Sequence, residues 1–224
     1  MYPKFLKEHA SLKDKVYLYL KDEIARGNLK PGERIKEKEI AHQFDISRTP
    51  IREALLQLEA EGFVRFLPRR GIIVRELTVK EITDVWQTIG VLEGGAAALA
   101  ATRMNKRDLS NLERLTQRME KALDEDNYDE YNRLNLRFHE TFLKKSGNEQ
   151  LYEIIIRLKK RIYEHPVKMV TIPEWERKAF REHLELLKIF KQKDAQKAET
   201  YLREVHWNLE ENLPFILKSY FQEE

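Results

Sequence analysis

The first third of the chain alternates short helical patterns with turn residues. Apolar residues at three- and four-residue spacing predict a helix over residues 11–27 and a shorter helix over residues 37–44. A third helix is predicted from about Ser47 to Glu61, and Ser47 or Thr49 is able to cap it. Three closely spaced helices of this length are typical of a small helical domain.

Two β-favouring runs follow Gly62, which ends the third helix, in the sequence FVRFLPRRGIIVREL. They flank Pro68-Arg69-Arg70-Gly71, where the glycine supplies the backbone freedom that a hairpin turn requires. The pattern therefore predicts a β-wing after the three helices, within a first domain of residues 1–76.

From Thr78 onward the pattern is almost entirely helical, which predicts an all-α second domain over residues 77–224. Thr78-Val79-Lys80-Glu81 resembles a capping box and opens a helix to about Arg103, in which Gly94 and Gly95 would allow close helix approach. Further helices are predicted over residues 107–124, 127–145, 148–164, 173–192 and 194–218. The fold class is therefore mainly α.

Composition narrows the possible functions. The chain has no Cys, which excludes disulfides and thiolate metal sites. Its N-terminus has scattered charges and no apolar run is long enough to span a bilayer, so we expect a cytoplasmic protein without a membrane partner. Residues 1–76 hold 16 Lys and Arg against 12 Asp and Glu, whereas residues 77–224 hold 25 against 26. The basic excess in the first domain suits a polyanion partner.

The segment SRTPIREALLQLEAEGFV groups polar residues at the start of the third helix. Ser47, Arg48, Thr49 and Arg52 lie opposite an apolar stripe of Ile51, Ala54, Leu55 and Leu58. In a helix-turn-helix the second helix enters the major groove, so hydroxyl and guanidinium donors in its first turns meet phosphates and guanine edges. Arg69 and Arg70 at the wing tip would meet the adjacent backbone or minor groove. Solvated arginines with a plain helix cap remain the alternative.

The stretch PGERIKEKEIAHQFDISRTPIREALLQLEAEGFVRFLPRRGIIV closely resembles the winged helix-turn-helix of the GntR family of bacterial transcription regulators. The resemblance covers about residues 11–76. It implies that Arg34, Arg48, Thr49 and Arg52 contact operator DNA, and that Gly71 lets the wing approach the groove. Asp45 stands where the family often has Gly.

The second domain carries NLRFHETFLKKSGN, which resembles the [D/N]-x-x-x-H…GN signature of the FCD-type effector domain. The resemblance implies a divalent metal held by one acid or amide and three histidines, beside a pocket for a small carboxylate. From the residues alone, Asn135 and His139 are four apart on one helix face, and His183 and His206 each lie among apolar neighbours. These four residues are the expected metal ligands, for zinc first and for nickel or manganese as alternatives. Core histidines satisfied by hydrogen bonds are the competing interpretation.

Two positions depart from the FCD pattern. The family spacing places the last histidine eleven residues after Asp194, which is Val205 here, whereas the histidine of this chain is His206. Only a local bulge or a different helix register would restore its direction, because one residue turns a helix by about 100°. Ile89 stands where the family often has an Arg four residues before Glu93.

An arginine clamp for a carboxylate is therefore missing at that point. Other arginines of the second domain could replace it as effector-binding residues, namely Arg133, Arg137, Arg157 and Arg161.

The leading hypothesis is a homodimeric, ligand-responsive repressor that binds a palindromic operator and is not an enzyme. The same DNA-binding domain with a metal-free effector pocket is the nearest alternative. A metal-dependent hydrolase is disfavoured because the chain has no HExxH motif, phosphate loop or nucleophile elbow. An architectural DNA-binding protein is disfavoured because inward Asn135, His139 and His183 are costly to bury without a function.

Overall fold

A computed structural model of the chain describes residues 11–76, 78–163 and 170–221. The described residues form two compact units. The first contains residues 11–76, Thr78 and residues 159–163, and the second contains residues 79–158 and 170–221. His9 and His165, which lack the inward apolar neighbours of the candidate ligands, lie outside the described residues.

The N-terminal unit is a helical trio with a small antiparallel sheet. Its core is formed by the inward faces of the first and third helices, including Val16, Leu20, Ile51 and Leu55, all at most 1% exposed. The predicted hairpin is present, and a two-residue strand that the sequence did not reveal pairs with its second strand, giving the order β1-β3-β2. The elements are α1 (Leu12–Ala25), β1 (Arg34–Ile35), α2 (Glu37–Phe44), α3 (Arg48–Ala60), β2 (Val64–Leu67) and β3 (Gly71–Val74).

The C-terminal unit is helical throughout its described residues, as predicted. Polar side chains cap several helices here; for example, Asn105 accepts a hydrogen bond from Asp108 N, and Asn127 accepts one from Glu130 N. The elements are α4 (Val79–Arg103), α5 (Lys106–Asp124), α6 (Tyr128–Lys145), α7 (Glu149–Tyr163), α8 (Pro173–Gln192), α9 (Ala195–Tyr201), a π turn (Leu202–His206), α10 (Leu209–Ile216) and a second π turn (Leu217–Phe221). The last residues of α7 group with the N-terminal unit.

The prediction of one helix over residues 194–218 is wrong. After α9 the backbone widens into the π turn, where Trp207 N donates to Leu202 O at 2.9 Å, a bond spanning five residues. The helix then breaks, and Asn208 caps α10 by accepting a hydrogen bond from Glu211 N. No Gly or Pro stands between Asp194 and Asn208, so the sequence gives no stop signal at the break.

Glycines let α4 approach α9 and the π turn closely. An ideal Cβ at Gly94 would lie 3.0 Å from Glu199 O, and one at Gly90 would lie 2.8 Å from Trp207 Cβ. Close packing is therefore confirmed for Gly94 and extends to Gly90. It is wrong for Gly95, whose Cβ would meet nothing within 4 Å.

Membrane insertion was not expected from the sequence. In the described part of the chain, none of the helices combines the length and the apolar character needed to cross a bilayer.

Candidate functional site

The start of α3 presents polar side chains to solvent. Ser47 is the N-cap residue, with extended φ and ψ of −68° and 165°, yet its side chain makes no capping hydrogen bond. Arg48, Thr49 and Arg52 are exposed, as is Ser47. The opposite stripe of Ile51, Ala54, Leu55 and Leu58 is 0% exposed, which fixes the helix to the domain. The hydroxyls, guanidinium groups and first-turn amides thus lie together on an anchored helix end.

The turn before α3 explains the departure at Asp45. This residue ends α2 in the left-handed conformation, with φ 52° and ψ 49°. Glycine adopts that conformation at no steric cost, whereas Asp tolerates it better than most side chains do. The turn between the two helices is therefore formed by Asp at a small conformational cost.

The wing brings Arg34 and Gly71 together. Gly71 has φ +84°, and an ideal Cβ there would lie 3.0 Å from Arg34 Nε. Arg34 is exposed on β1, and Arg69 and Arg70 are exposed in the hairpin turn, where Arg69 has φ 62°. All the predicted DNA-facing arginines of this unit are accordingly accessible.

The three predicted histidines converge inside the C-terminal unit. Their ligand-capable atoms all lie within 4.8 Å of one another. His139 Nε2 is 3.0 Å from His183 Nε2, and the His206 ring centroid is 4.9 Å from that of His183. His139 and His183 are 3% and 0% exposed, so the cluster is shielded from water. It joins α6, α8 and the π turn.

Two buried carboxylates orient the outer nitrogens of these rings. Glu93 Oε2 lies 2.8 Å from His139 Nδ1 and accepts a hydrogen bond from Trp207 Nε1 at 2.8 Å. Glu182 Oε2 lies 2.7 Å from His206 Nδ1. In metal centres a carboxylate commonly holds the outer nitrogen of a ligating imidazole in this way, which fixes the ring and leaves Nε2 for the metal.

Asn135 completes the predicted set. It lies one turn before His139 on α6, and its Oδ1 atom is buried without a hydrogen-bond partner among the described residues. A buried amide oxygen without a partner costs free energy unless a ligand or water satisfies it. The three converging histidines, with this amide oxygen as a candidate fourth ligand, are the residues that would hold a divalent ion.

The π turn accounts for the one-residue offset of His206. It absorbs the additional residue after Asp194, so the ring of His206 still faces His183. The next residue, Trp207, also reaches the cluster through its bond to Glu93. Adjacent residues of an α-helix diverge by about 100°, and the wider turn reduces that divergence.

The two candidate effector arginines on α6 do not face the cluster. Arg133 and Arg137 are exposed on the outward face of α6, and Arg133 pairs with Glu130. Arg157 is exposed on α7. Arg161 lies in the N-terminal unit, where its side chain is 3.1 Å from an ideal Cβ at Gly62. Neither Arg133 nor Arg137 is three or four residues from His139, so both point away from it.

Sequence reasoning missed Glu93, Glu182 and Trp207 as parts of the cluster. A single acidic residue within the apolar stretch IGVLEGGAAALAA was the available signal for Glu93. A further carboxyl, that of the half-buried Glu176, was also missed, and the burial of this group raises its pKa to about 7.

Comparison with known proteins matches both units. Residues 12–74 match the model of bacterial regulatory proteins of the gntR family, and residues 84–206 match the model of the FCD domain. The uncharacterised HTH-type transcriptional regulator YdhC of Bacillus subtilis is 31% identical over 204 residues, covering 90% of this chain and 91% of YdhC.

Two regulators of Escherichia coli are also similar. McbR is 28% identical, covering 95% of this chain and 96% of McbR. The solved structure titled E. coli McbR/YncC matches with a TM-score of 0.66 at 27% identity, covering 92% of this chain and 97% of that one. The transcriptional repressor RspR is 23% identical, covering 82% of this chain and 81% of RspR.

Proposed function

Because the chain belongs to the GntR family and is a transcription regulator with an FCD effector domain, we propose that it binds a palindromic operator as a homodimer and represses transcription until an effector binds. Its relatives are transcription regulators and not enzymes. Repression is proposed from the similarity to RspR, whose name describes a repressor. We also propose a cytoplasmic location, because a bacterial regulator meets chromosomal DNA there.

The observation that carries the proposal is the exposed polar end of α3. Ser47 makes no capping bond, so the first-turn amides and its hydroxyl are available to a phosphate. Arg48 and Arg52 extend from the same exposed face, where they reach phosphates or guanine edges. Arg34 and the wing arginines supply further phosphate contacts, which position the helix.

The effector unit is proposed to hold a divalent metal through Asn135, His139, His183 and His206. Zinc is favoured by the nitrogen-rich ligand set, with nickel or manganese as alternatives. Zinc–nitrogen bonds of about 2.1 Å would hold two imidazole nitrogens of a tetrahedral site about 3.4 Å apart, so histidines whose ligand-capable atoms lie within 4.8 Å of one another would need only small ring movements. A bound ion would supply positive charge and connect α6, α8 and the π turn.

The effector is proposed to be a small carboxylate that binds beside the metal. Ile89 is 0% exposed in place of the family's arginine, and Arg133 and Arg137 lie on the face of α6 that points away from His139. The negative charge of a carboxylate effector would consequently be attracted mainly by the metal ion. A metal-free pocket with the same DNA-binding unit is the alternative, and it predicts no metal-dependent stabilisation.

A thermal-unfolding experiment separates these alternatives. Metal-stripped protein is titrated with zinc, nickel or manganese, with and without chelator, and then with small carboxylates. Binding to the folded state alone raises the melting temperature with concentration. His139→Ala and His183→Ala should each abolish the metal-dependent rise, and His42→Ala, an exposed histidine on α2, should retain it. Retention of the rise in both cluster variants would reject the metal site.

DNA binding is tested by fluorescence anisotropy on a selected operator. Arg48→Ala and Arg52→Ala should each weaken affinity by about 1–3 kcal/mol if the side chain reaches a base, and should flatten the salt dependence if it reaches a phosphate. Arg26→Ala, which removes an exposed arginine at the end of α1, is the matched control. Unchanged affinity in either test variant removes that residue from the interface.

A further inference from the structure

One face of α4 is apolar and open. Val91 is 59% exposed and Leu99 is 37% exposed. We call this face the α4 seam, and it consists of Thr88, Val91, Gly95, Ala98, Leu99 and Thr102. Every residue of α4 is described. Between Thr88 and Thr102, none of the residues that are at least partly exposed carries a charge. That is unusual in a chain of which 35% is charged, and depletion of charge is typical of the core of a protein interface.

The threonines at the two ends of the α4 seam also present apolar groups. Thr88 Oγ1 donates to Asp84 O at 2.7 Å, and Thr102 Oγ1 donates to Leu99 O at 3.3 Å. Each hydroxyl thus bonds to its own helix. The seam is therefore more apolar than its sequence suggests.

The remaining faces of α4 are occupied within the unit. Gly90 and Gly94 pack against the π turn and α9, and Glu93 bonds to His139 of α6. Gly95, by contrast, faces open space. The seam is thus a separate face that the described fold leaves uncovered.

The spacing of the α4 seam is that of a helix pair. Thr88, Val91, Gly95, Ala98 and Thr102 follow one another at intervals of three, four, three and four residues. This alternation keeps one stripe facing a neighbouring helix at a shallow crossing angle. Small residues at its centre permit close approach of the two backbones.

We propose that the α4 seam pairs with the α4 seam of a second copy, antiparallel and centred on Gly95. The inference rests on the homodimer of the proposed function and adds its surface and orientation. In this arrangement Val91 faces the partner's Leu99, and Thr88 faces the partner's Thr102, because each pair is equidistant from Gly95. An isologous interface requires such self-complementarity.

Charge favours the antiparallel orientation over the parallel one. At the N-terminal end of the seam, Lys80 and Asp84 form an ion pair at 2.7 Å. At the other end the exposed Arg103, Lys106 and Arg107 are all basic. Parallel pairing would bring two basic ends together, whereas antiparallel pairing separates them and opposes the helix dipoles favourably.

Engineered cysteines test both the surface and the orientation, because the full chain has no Cys of its own. Thr88→Cys and Thr102→Cys proteins are mixed, allowed to exchange subunits and oxidised mildly. We expect a disulfide between the two variants, and none between two copies of either variant. Two copies of Thr88 would be separated by about 14 residues of helix, or roughly 21 Å, which is beyond disulfide reach. Gly95→Cys should cross-link to itself.

Leu136→Cys is the matched control, since Leu136 is 45% exposed on α6 and lies outside the seam. It should remain unlinked under the same conditions. Efficient self-linking of Thr88→Cys would overturn the antiparallel orientation. Absence of all seam cross-links in a protein that sediments as a dimer would assign the interface to another surface and overturn the proposal.

A second measurement does not depend on disulfide geometry. Val91→Glu should weaken the dimer at least tenfold in sedimentation equilibrium, and Leu136→Glu should leave it unchanged. An equal dimer constant for Val91→Glu and the unaltered protein would also overturn the proposal. Operator binding by anisotropy distinguishes the failures: a dimer that binds DNA without the seam contradicts this inference alone, and an unaltered protein with no operator binding contradicts the proposed function.

Discussion

Gly90→Ala should destabilise the C-terminal unit, whereas Gly95→Ala, on the same helix α4, should stabilise it. An ideal Cβ at Gly90 lies 2.8 Å from Trp207 Cβ, about 1 Å closer than carbon atoms normally pack. That neighbouring atom is attached to the backbone, so it cannot rotate away. The π turn would have to move outward, and with it the bond from Trp207 to Glu93.

The difference in unfolding free energy between the two variants follows from two contributions. Replacing Gly with Ala inside a helix stabilises by about 1 kcal/mol, and both Gly90→Ala and Gly95→Ala gain this. Only Gly90→Ala also suffers overpacking, which costs about 1–3 kcal/mol. The difference between the two variants is therefore about 1–3 kcal/mol and measures the packing cost alone.

Urea unfolding followed by tryptophan fluorescence measures this difference. The chain has 3 Trp residues, at positions 86, 175 and 207, and all lie in the C-terminal unit, so the signal reports that unit. The two variants are compared at a protein concentration low enough to keep the chain monomeric, because a Cβ at position 95 would also meet the partner helix of the proposed dimer. Equal stabilisation by both alanines would refute the close packing of the π turn on α4.

Three further changes test other parts of the structure. Asp45→Gly should stabilise the α2–α3 turn by about 0.5–1 kcal/mol, because it relieves the left-handed conformation, and hydrogen exchange of residues 37–60 should slow. A faster exchange would contradict that reasoning. Burial raises the pKa of Glu176 from 4.5 to about 7, so the folded state binds the proton more tightly and loses stability, by up to about 3 kcal/mol, as pH rises through that interval. Glu176→Gln should remove this loss, and a stability difference from the unaltered protein that is independent of pH would contradict it. Glu93→Gln should weaken metal affinity about 10–100-fold by disturbing the outer nitrogen of His139, as measured by competition with a chelating dye. Unaltered affinity would remove Glu93 from that role.

The regular elements were predictable because periodicity and end signals agreed. The helices over residues 37–44 and 173–192 were predicted to the residue, since an apolar stripe, an acidic first turn or Pro at the start, and a turn residue at the end coincide there. The two-residue strand β1 was not, because two residues cannot establish a period. Its pairing with Ile72 and Ile73 depends on the wing.

The candidate histidine cluster was predictable in composition and not in geometry. Helical spacing turned His139 inward, but nothing local to Glu93 indicated that its partner lies 46 residues away. The π turn was also invisible, although the one-residue offset of His206 indicated that some irregularity was needed. The effector arginines were chosen by residue type, and Arg133 and Arg137 occupy the opposite face of α6.

The central claim is that the exposed end of α3 reads DNA in a symmetric dimer. Selection of bound duplexes from a random-sequence library, with the full-length protein, tests it most directly. We expect one enriched motif made of two inverted half-sites, with centres about one helical turn or a multiple of it apart. For Arg52→Ala we expect a relaxed base preference within each half-site. No enriched motif, or a single half-site without a symmetric partner, would contradict it.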